Sequence, residues 1–143
     1  MTKQSILYVG GFILPDGNAA AQRAVGNARL FSALGHDVAF LTRSEEVFRG
    51  CRRTRHLGFD CYEVSDSSKS FSHAVLRLYS IGDVIEAIEA MARVDGIIAY
   101  NYPAIALARL NRYCKKRKMK CLGDSTEWYG PGKGFLAYEG LKR

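Results

Sequence analysis

The stretch that most constrains the fold is residues 5–43, which has the layout strand, glycine-containing loop, helix, strand. Its first five residues, SILYV, are apolar and rich in β-forming side chains, as in a strand buried on both faces. A helix is predicted next, because Asn18 can cap the run of alanines that follows it. Gly35 ends this helix, and residues 38–41 form a second short strand. A right-handed crossover makes the two strands parallel neighbours, which indicates an α/β fold.

The loop after the first strand has the features of an anion-binding turn. Gly10, Gly11 and Gly17 lack side chains, so a ligand can approach the backbone closely. Asn18 begins a helix whose N-terminal dipole favours negative charge, and Arg23 lies on its first turns. These five residues are the predicted phosphate-binding or sugar-binding set. The spacing matches neither the dinucleotide fingerprint nor a P-loop, so the pattern fits equally well a plain βα turn that binds nothing.

The rest of the chain continues to alternate strands and helices. After an irregular basic segment at residues 44–56, the predicted elements are strand three at 57–64, a short helix at 74–79, a helix capped by Asp83, strand four at 95–100, a helix at 104–118 and strand five at 120–123. This order predicts a mostly parallel, Rossmann-like sheet with helices on both faces. Ligands in such folds bind beyond the carboxyl ends of the strands.

Composition narrows the class of protein. At 143 residues and 48% hydrophobic content, the chain has the size and composition of one folded domain. No apolar run reaches the roughly 18–20 residues that span a bilayer, and no signal peptide precedes the first strand, so a cytoplasmic protein is expected. The cysteines show no CxxC spacing and are predicted to be reduced thiols rather than a metal site. They are Cys51, Cys61, Cys114 and Cys121.

The net charge of +7 is concentrated in two clusters. One comprises Arg49, Arg52, Arg53 and Arg55, in a predicted loop after strand two. The other, at residues 115–120, follows a predicted helix, whose C-terminal dipole suits cations. We expect the first cluster to dock against an anionic partner and the second to be a solvated face. Charge alone does not choose among nucleic acid, an acidic membrane surface and a phosphate-bearing substrate.

Two stretches resemble a known family. The first carries Gly10-Gly11, Pro15, Gly17, the alanine-rich helix start with Arg23, Asn27, and the LGHDV run at 34–38 that leads into FLT at 40–42. The second is LGDSTEWY at residues 122–129. On these motifs the chain is similar to the N-terminal domain of the family 4 glycosyltransferases, which have the two-domain GT-B fold. The resemblance implies an acceptor-side domain at residues 1–129, with residues 130–143 a loop and helix start before a missing second domain.

The resemblance also implies an activity. It is transfer of a sugar from a nucleotide-sugar donor to a saccharide, lipid or other acceptor, with no cofactor beyond the nucleotide-sugar co-substrate. Gly11 and Gly17 would face the donor diphosphate through backbone N–H groups. The missing C-terminal domain holds most donor contacts in that family, so this chain is expected to be inactive alone and to need a donor domain in cis or in trans. The inner face of an anionic membrane is a further expected partner, and nucleic acid is not expected.

Polar and aromatic side chains after the last two predicted strands complete the expected site. Asp124 and Glu127 are predicted either to act on the acceptor, with one taking a proton from it, or to cap a helix. The predicted acceptor-binding residues are Asn101, Tyr102, Trp128 and Tyr129. A second interpretation also stays open. The chain would then be a non-catalytic Rossmann-like binding module that uses a basic face for a partner or nucleic acid.

Overall fold

The computed structural model describes residues 2–15, 17–44, 46–65 and 79–126. The predicted site residues Glu127, Trp128 and Tyr129 lie outside these ranges, as do residues 130–143 and most of the predicted helix at 74–79. In chain order the described elements are β1 (Ser5–Gly10), α1 (Ala19–Ala33), β2 (Asp37–Ser44), β3 (Cys51–His56), β4 (Phe59–Ser65), α2 (Gly82–Ala90), β5 (Gly96–Tyr100), α3 (Ala104–Lys116) and β6 (Lys120–Asp124).

A six-stranded sheet runs through the described part of the chain in the order β3-β4-β2-β1-β5-β6. β1 pairs in parallel with β2 on one side and with β5 on the other. β4 extends the sheet in parallel beyond β2, and β6 does the same beyond β5. β3 is antiparallel to β4 and forms one edge. The predicted mostly parallel, Rossmann-like sheet is confirmed.

Helices cover both faces of this sheet. Side chains alternate along a strand, so the consecutive residues Leu7 and Tyr8 of β1 enter different cores. Tyr8 and Phe40 pack in the core under α1. Leu7 and Ile97 pack in the core under α2 and α3. This double burial explains why the central strands have apolar side chains in succession rather than in alternation with polar ones.

Helix α1 begins and ends as the sequence predicts. The Asn18 side chain accepts a hydrogen bond from the backbone N–H of Ala21 at 2.8 Å, which caps the helix. Gly35 ends it with a φ of 87°, a conformation that glycine adopts without strain. The buried residues of α1 all have small side chains, which lets the helix lie close to the strands. They are Ala21, Ala24, Val25 and Ala28.

The structure corrects the predicted course of residues 44–64. Cys51–His56 is strand β3 rather than an irregular loop, and the predicted strand at 57–64 begins two residues late, at Phe59. Leu57 and Gly58 form the turn between β3 and β4, with φ values of 52° and 86°. Type I′ turns, which are common two-residue hairpin connections, have positive φ values at both central positions. The segment is therefore a β-hairpin at the edge of the sheet.

The first arginine cluster accordingly lies on and beside β3 rather than in a loop. Arg52 contacts two carboxylates, with Nη2 2.8 Å from Glu63 Oε2 and Nη1 2.8 Å from Glu46 Oε2. Arg53 Nη2 lies 2.7 Å from Asp60 Oδ2. Two of the four arginines that we expected to meet an outside partner are thus paired with carboxylates of the protein itself.

The start of α2 also differs from the prediction. Ile81, not Asp83, is the N-cap, and Asp83 lies in the first turn. The carboxylate of Asp83 pairs with Arg43 at the end of β2, with Arg43 Nη2 2.7 Å from Asp83 Oδ2. Within the described residues, no helix has the length and apolar character needed to cross a membrane. All four cysteines are free thiols.

Candidate functional site

The candidate site lies at the topological switch point, where the chain stops adding strands on one side of β1 and starts adding them on the other. After β1 the chain adds β2, β3 and β4 on one side and then returns to add β5 and β6 on the other. The carboxyl ends of β1 and β5 therefore flank the crevice in which open α/β sheets bind ligands. The loop at residues 11–18 leaves β1 at this edge, and Asn101 and Tyr102 leave β5 beside it.

Gly10 and Gly11 are adjacent but differ in their surroundings. A Cβ atom on Gly10 would lie 2.9 Å from both the Cβ and the carbonyl oxygen of Tyr100. Gly10 is therefore required by the close pairing of β1 and β5. A Cβ atom on Gly11 would meet nothing within 4 Å. Of this predicted pair, Gly11 borders the open space of the crevice.

Gly17 and Asn18, also predicted from the sequence, stabilise the conformation of the loop. The backbone N–H of Gly17 donates to the carbonyl oxygen of Ile13 at 2.9 Å, so this N–H is used within the loop. A Cβ atom on Gly17 would lie 3.0 Å from Ile13 Cγ2. Asn18 caps α1 and donates through Nδ2 to the carbonyl oxygen of Gly11 at 3.4 Å. These contacts fix the path of the chain past Gly11.

Four side chains from three elements meet beside this loop, and we call them the Asp124 cluster. Its members are Tyr8 on β1, Arg23 and Asn27 on α1, and Asp124 at the end of β6. Asp124 Oδ2 accepts from Tyr8 Oη at 2.6 Å and from Asn27 Nδ2 at 3.3 Å. Arg23 donates to both carboxylate oxygens, through Nη2 to Oδ1 at 2.8 Å and through Nε to Oδ2 at 3.4 Å. Asn27 Nδ2 also lies 3.1 Å from Tyr8 Oη.

The electrostatics of the Asp124 cluster follow from these bonds. The Arg23 hydrogen bond, helped by those from Tyr8 and Asn27, holds the pKa of Asp124 below its ordinary value despite partial burial. Burial and the bond to Asp124 raise the pKa of Tyr8 to about 12. The bond to Asp124 raises the pKa of Arg23 further above its ordinary value. At neutral pH the cluster therefore contains a carboxylate, a neutral phenol and a guanidinium.

These charges bear on the predicted catalytic role of Asp124. A carboxylate with a lowered pKa is a weak proton acceptor, and this one already accepts bonds from three side chains. The arrangement suits a residue that holds Arg23 in place. The Arg23 side chain is 48% exposed, whereas that of Asp124 is 16% exposed. Arg23 is thus the member of the cluster that an incoming ligand can reach.

Asn101 is engaged with the segment that follows β6. Its backbone N–H donates to the carbonyl oxygen of Asp124 at 2.9 Å. Its side chain donates to Thr126 Oγ1 at 3.0 Å and accepts from the Thr126 backbone N–H at 3.0 Å. The φ of Asn101 is 42°, a left-handed conformation that asparagine tolerates better than most residues. Asn101 therefore fastens the chain just beyond Asp124 to the end of β5.

Tyr102 lies on the other face of the sheet. Its ring packs against the core under α2 and α3, and burial raises its pKa to about 12. The Arg43–Asp83 ion pair acts on it from nearby with opposing effects on the pKa. The structure thus brings Arg23 and Asp124 into contact on the α1 face of the sheet, joins Gly11 to Asn18, and places Tyr102 on the opposite face.

Sequence reasoning missed three residues of this region as site residues, namely Tyr8, Asn27 and Thr126. Asn27 follows Arg23 by four positions, which places both side chains on one face of a helix, so this signal was available. A tyrosine in a strand buried on both faces also needs a partner for its hydroxyl group. Nothing local indicated that the partner is Asp124. Among the described residues, no group of three or more His, Cys, Asp or Glu side chains is arranged to hold a metal ion.

Comparison with known proteins gives one distant likeness. No protein-family profile and no curated protein matches the chain. A solved structure described as trehalose-6-phosphate from E. coli bound with UDP-2-fluoro glucose is similar at 14% sequence identity and a TM-score of 0.46. The match covers 80% of this chain but 31% of that one, so this chain spans about a third of its length. At this identity and TM-score the likeness carries no conclusion about family or activity.

Proposed function

We propose that this chain is the acceptor-side domain of a nucleotide-sugar-dependent glycosyltransferase with the two-domain GT-B fold. The observation that carries the proposal is the pair of features at the carboxyl edge of the sheet, namely open space at Gly11 and the half-exposed guanidinium of Arg23. Gly11 directly follows β1, and Arg23 contacts Asp124 at the end of β6. The sequence motifs that resemble family 4 glycosyltransferases include these same two residues.

The chemistry of this edge suits a diphosphate. Backbone without a side chain at Gly11 lets phosphate oxygens approach the chain closely. Arg23 turns Nε and Nη2 toward Asp124, which leaves the Nη1 side of its guanidinium for a ligand oxygen. A positive group held in this way stabilises the charge that develops on a leaving diphosphate during sugar transfer. Tyr8 and Asn27 act indirectly, because they hold the carboxylate that orients Arg23.

The acceptor side of the proposed site lies at the ends of β5 and β6. Asn101 fixes the chain after β6 as far as Thr126. We retain Asp124 and Glu127 as the acidic pair that acts on the acceptor, with Trp128 and Tyr129 as sugar-stacking residues. In this scheme Asp124 contributes negative charge and orientation, and Glu127 is the better candidate for taking the acceptor proton.

The proposal makes the chain one half of a catalytic unit. In a two-domain enzyme of this type the reaction takes place between the domains, so the donor domain is needed in cis or in trans. We expect the isolated chain to show no sugar transfer and to bind nucleotide sugars only weakly.

Titration calorimetry with UDP-sugars and GDP-sugars, followed by a transfer assay with a donor domain supplied, tests this. Transfer that appears only with the donor domain supports the proposal. Micromolar affinity of the isolated chain for a nucleotide sugar would contradict the split arrangement.

A further inference from the structure

The segment from residue 96 to residue 123 contains no aspartate or glutamate. It carries seven basic residues, all between positions 109 and 120. Four of them lie on α3 at positions that share its outer side, namely Arg109, Arg112, Lys115 and Lys116. All four are exposed. Helix α3 itself has no acidic residue to offset them.

These cations differ from the arginines of β3 in one respect that matters for binding. Within the described part of the chain, none of the four α3 cations forms an ion pair, whereas Arg52 and Arg53 are both paired with carboxylates. A partner that approaches β3 must compete with bound carboxylates. A partner that approaches α3 meets cations that are not already paired with carboxylates. Among the described residues, α3 therefore groups four exposed cations without an ion pair on one side of a single helix, whereas Arg29 lies on α1 and Arg49 and Arg55 lie on or beside β3.

Two exposed non-polar side chains stand at the N-terminal end of the same surface. Ile105, one turn before Arg109, is 36% exposed. Tyr79 is 37% exposed, and its carbonyl oxygen accepts from Arg109 Nη1 at 2.9 Å. We use the name α3 face for the set Tyr79, Ile105, Arg109, Arg112, Lys115 and Lys116. It extends over roughly 16 Å along the helix, at 1.5 Å per residue.

We propose that the α3 face docks on the anionic headgroups of a lipid bilayer. A bilayer presents phosphates over a plane, which matches cations spread along the outer side of a helix. The long lysine and arginine stems can lie on the acyl boundary while their charges stay at the headgroups. Tyrosine and isoleucine at one end are side chains that the membrane interface accepts. Proteins that bind single-stranded nucleic acid use a basic groove lined with stacking aromatic rings, and the α3 face is a convex helix surface.

This docking is independent of sugar transfer and compatible with it. Helix α3 packs against one face of the sheet, whereas α1, which carries Arg23, packs against the other. A protein that rests on a membrane through α3 therefore keeps the crevice open. Its concentration at the membrane surface would bring it close to any lipid-linked acceptor.

The test is co-sedimentation of the full chain with two kinds of vesicle, phosphatidylcholine alone and phosphatidylcholine mixed with phosphatidylglycerol. We expect binding to the acidic vesicles that weakens strongly as salt is raised, because the attraction is screened. The triple variant Arg112→Gln, Lys115→Gln, Lys116→Gln keeps good helix formers on α3. At about fivefold per charge it should lose roughly a hundredfold in binding.

A matched control separates the α3 face from net charge. The variant Arg29→Gln, Arg49→Gln, Arg55→Gln also lowers the formal charge from +7 to +4, but at exposed positions away from α3. It should bind acidic vesicles nearly as well as the wild type does. Equal losses in the two triple variants, or equal binding to neutral and acidic vesicles, would overturn the proposal. So would tighter binding to duplex DNA or to single-stranded RNA, measured in parallel, than to the acidic vesicles.

Discussion

The hydroxyl group of Tyr8 donates to the carboxylate of Asp124 at 2.6 Å, although 116 residues separate the two along the chain. Tyr8 lies in the middle of β1, and Asp124 ends β6, two strands away in the sheet. The bond therefore passes over β5 and links β1 to the edge strand β6. Through the same carboxylate it reaches Arg23, the exposed cation at the mouth of the crevice.

We expect Tyr8→Phe to destabilise the protein by about 2 kcal/mol, because hydrogen bonds to charged groups are worth more than neutral ones. Tyr100→Phe is the matched control, since Tyr100 is also buried and its hydroxyl group shares a hydrogen bond with the neutral Thr126 Oγ1, at 3.3 Å. It should cost no more than about 1 kcal/mol. Urea unfolding of both variants measures the difference. Equal losses of unfolding free energy in the two variants would mean that the bond to Asp124 is no stronger than a hydrogen bond between neutral groups.

The lowered pKa of Asp124 predicts how stability depends on pH. A carboxyl group whose pKa is lower in the folded state stabilises the fold above its unfolded-state value, near 3.9. That contribution is lost as the pH falls through the folded-state pKa. The wild type should therefore exceed Asp124→Asn in unfolding free energy at pH 7, and the gap should close in acid. A gap that stays constant down to the most acidic measurable pH would contradict this assignment.

Gly10 and Gly11 should respond differently to the same substitution. Gly10→Ala forces a methyl group against Tyr100 and should cost about 1–3 kcal/mol of stability. Gly11→Ala adds a methyl group in open space, and Gly11 does not have a positive φ, so its effect should stay within about 0.5 kcal/mol. Thermal unfolding of the two variants side by side measures this. A destabilised Gly11→Ala protein would show that the space beside Gly11 is not open.

A bulkier substitution at Gly11 should affect activity. In an enzyme completed by a donor domain, Gly11→Val should lower turnover by well over tenfold, a loss of more than about 1.4 kcal/mol of transition-state stabilisation. The side chain would obstruct the approach of the diphosphate without straining the fold. Turnover and unfolding need to be measured on the same preparation. Full activity of the variant would leave the loop as a plain βα turn.

Glu63 should matter more to stability than Glu46, although both contact Arg52. The Glu63 side chain is 11% exposed and also accepts from Thr54 and His56. Burial raises its pKa, but the bonds from Arg52, His56 and Thr54 outweigh burial and lower it. Glu63→Gln should lower the free energy of unfolding by roughly 1–3 kcal/mol, because it removes a hydrogen-bonded charge from a largely buried site. Glu46→Gln, at a position 70% exposed, should cost less than about 0.5 kcal/mol by the same unfolding assay.

The sequence was sufficient for the parallel part of the sheet because its signals are local. Apolar runs, the Asn18 cap and the Gly35 stop each act within a few residues, and all three hold in the structure. Strand β3 was not predicted, because the contacts that define it are not local. Its arginines look like a solvated loop until the register places Arg52 opposite Glu63, and that register depends on the fold.

The candidate site was only partly predictable for a related reason. Its position at the carboxyl edge follows from the α/β pattern, and Gly11, Arg23 and Asp124 were all named from the sequence. The bonds that Asp124 forms were not predictable, because they join β6 to Tyr8 on β1 and to Asn27 on α1, across 116 and 97 residues of sequence. Arg23 was expected to be free for a phosphate, and the structure shows that one side of its guanidinium is already bound to Asp124.

The most direct test of the proposed ligand edge is an NMR titration of the ¹⁵N-labelled chain with inorganic pyrophosphate and then with UDP-glucose. This measurement detects weak binding and reports it residue by residue. We expect the amide signals of Gly11 and of its neighbours at the carboxyl ends of β1 and β5 to shift. Gly35 and Gly58, which line a groove at the opposite edge of the sheet, should not shift. Shifts confined to that groove, or none near Gly11 with either probe, would contradict the account.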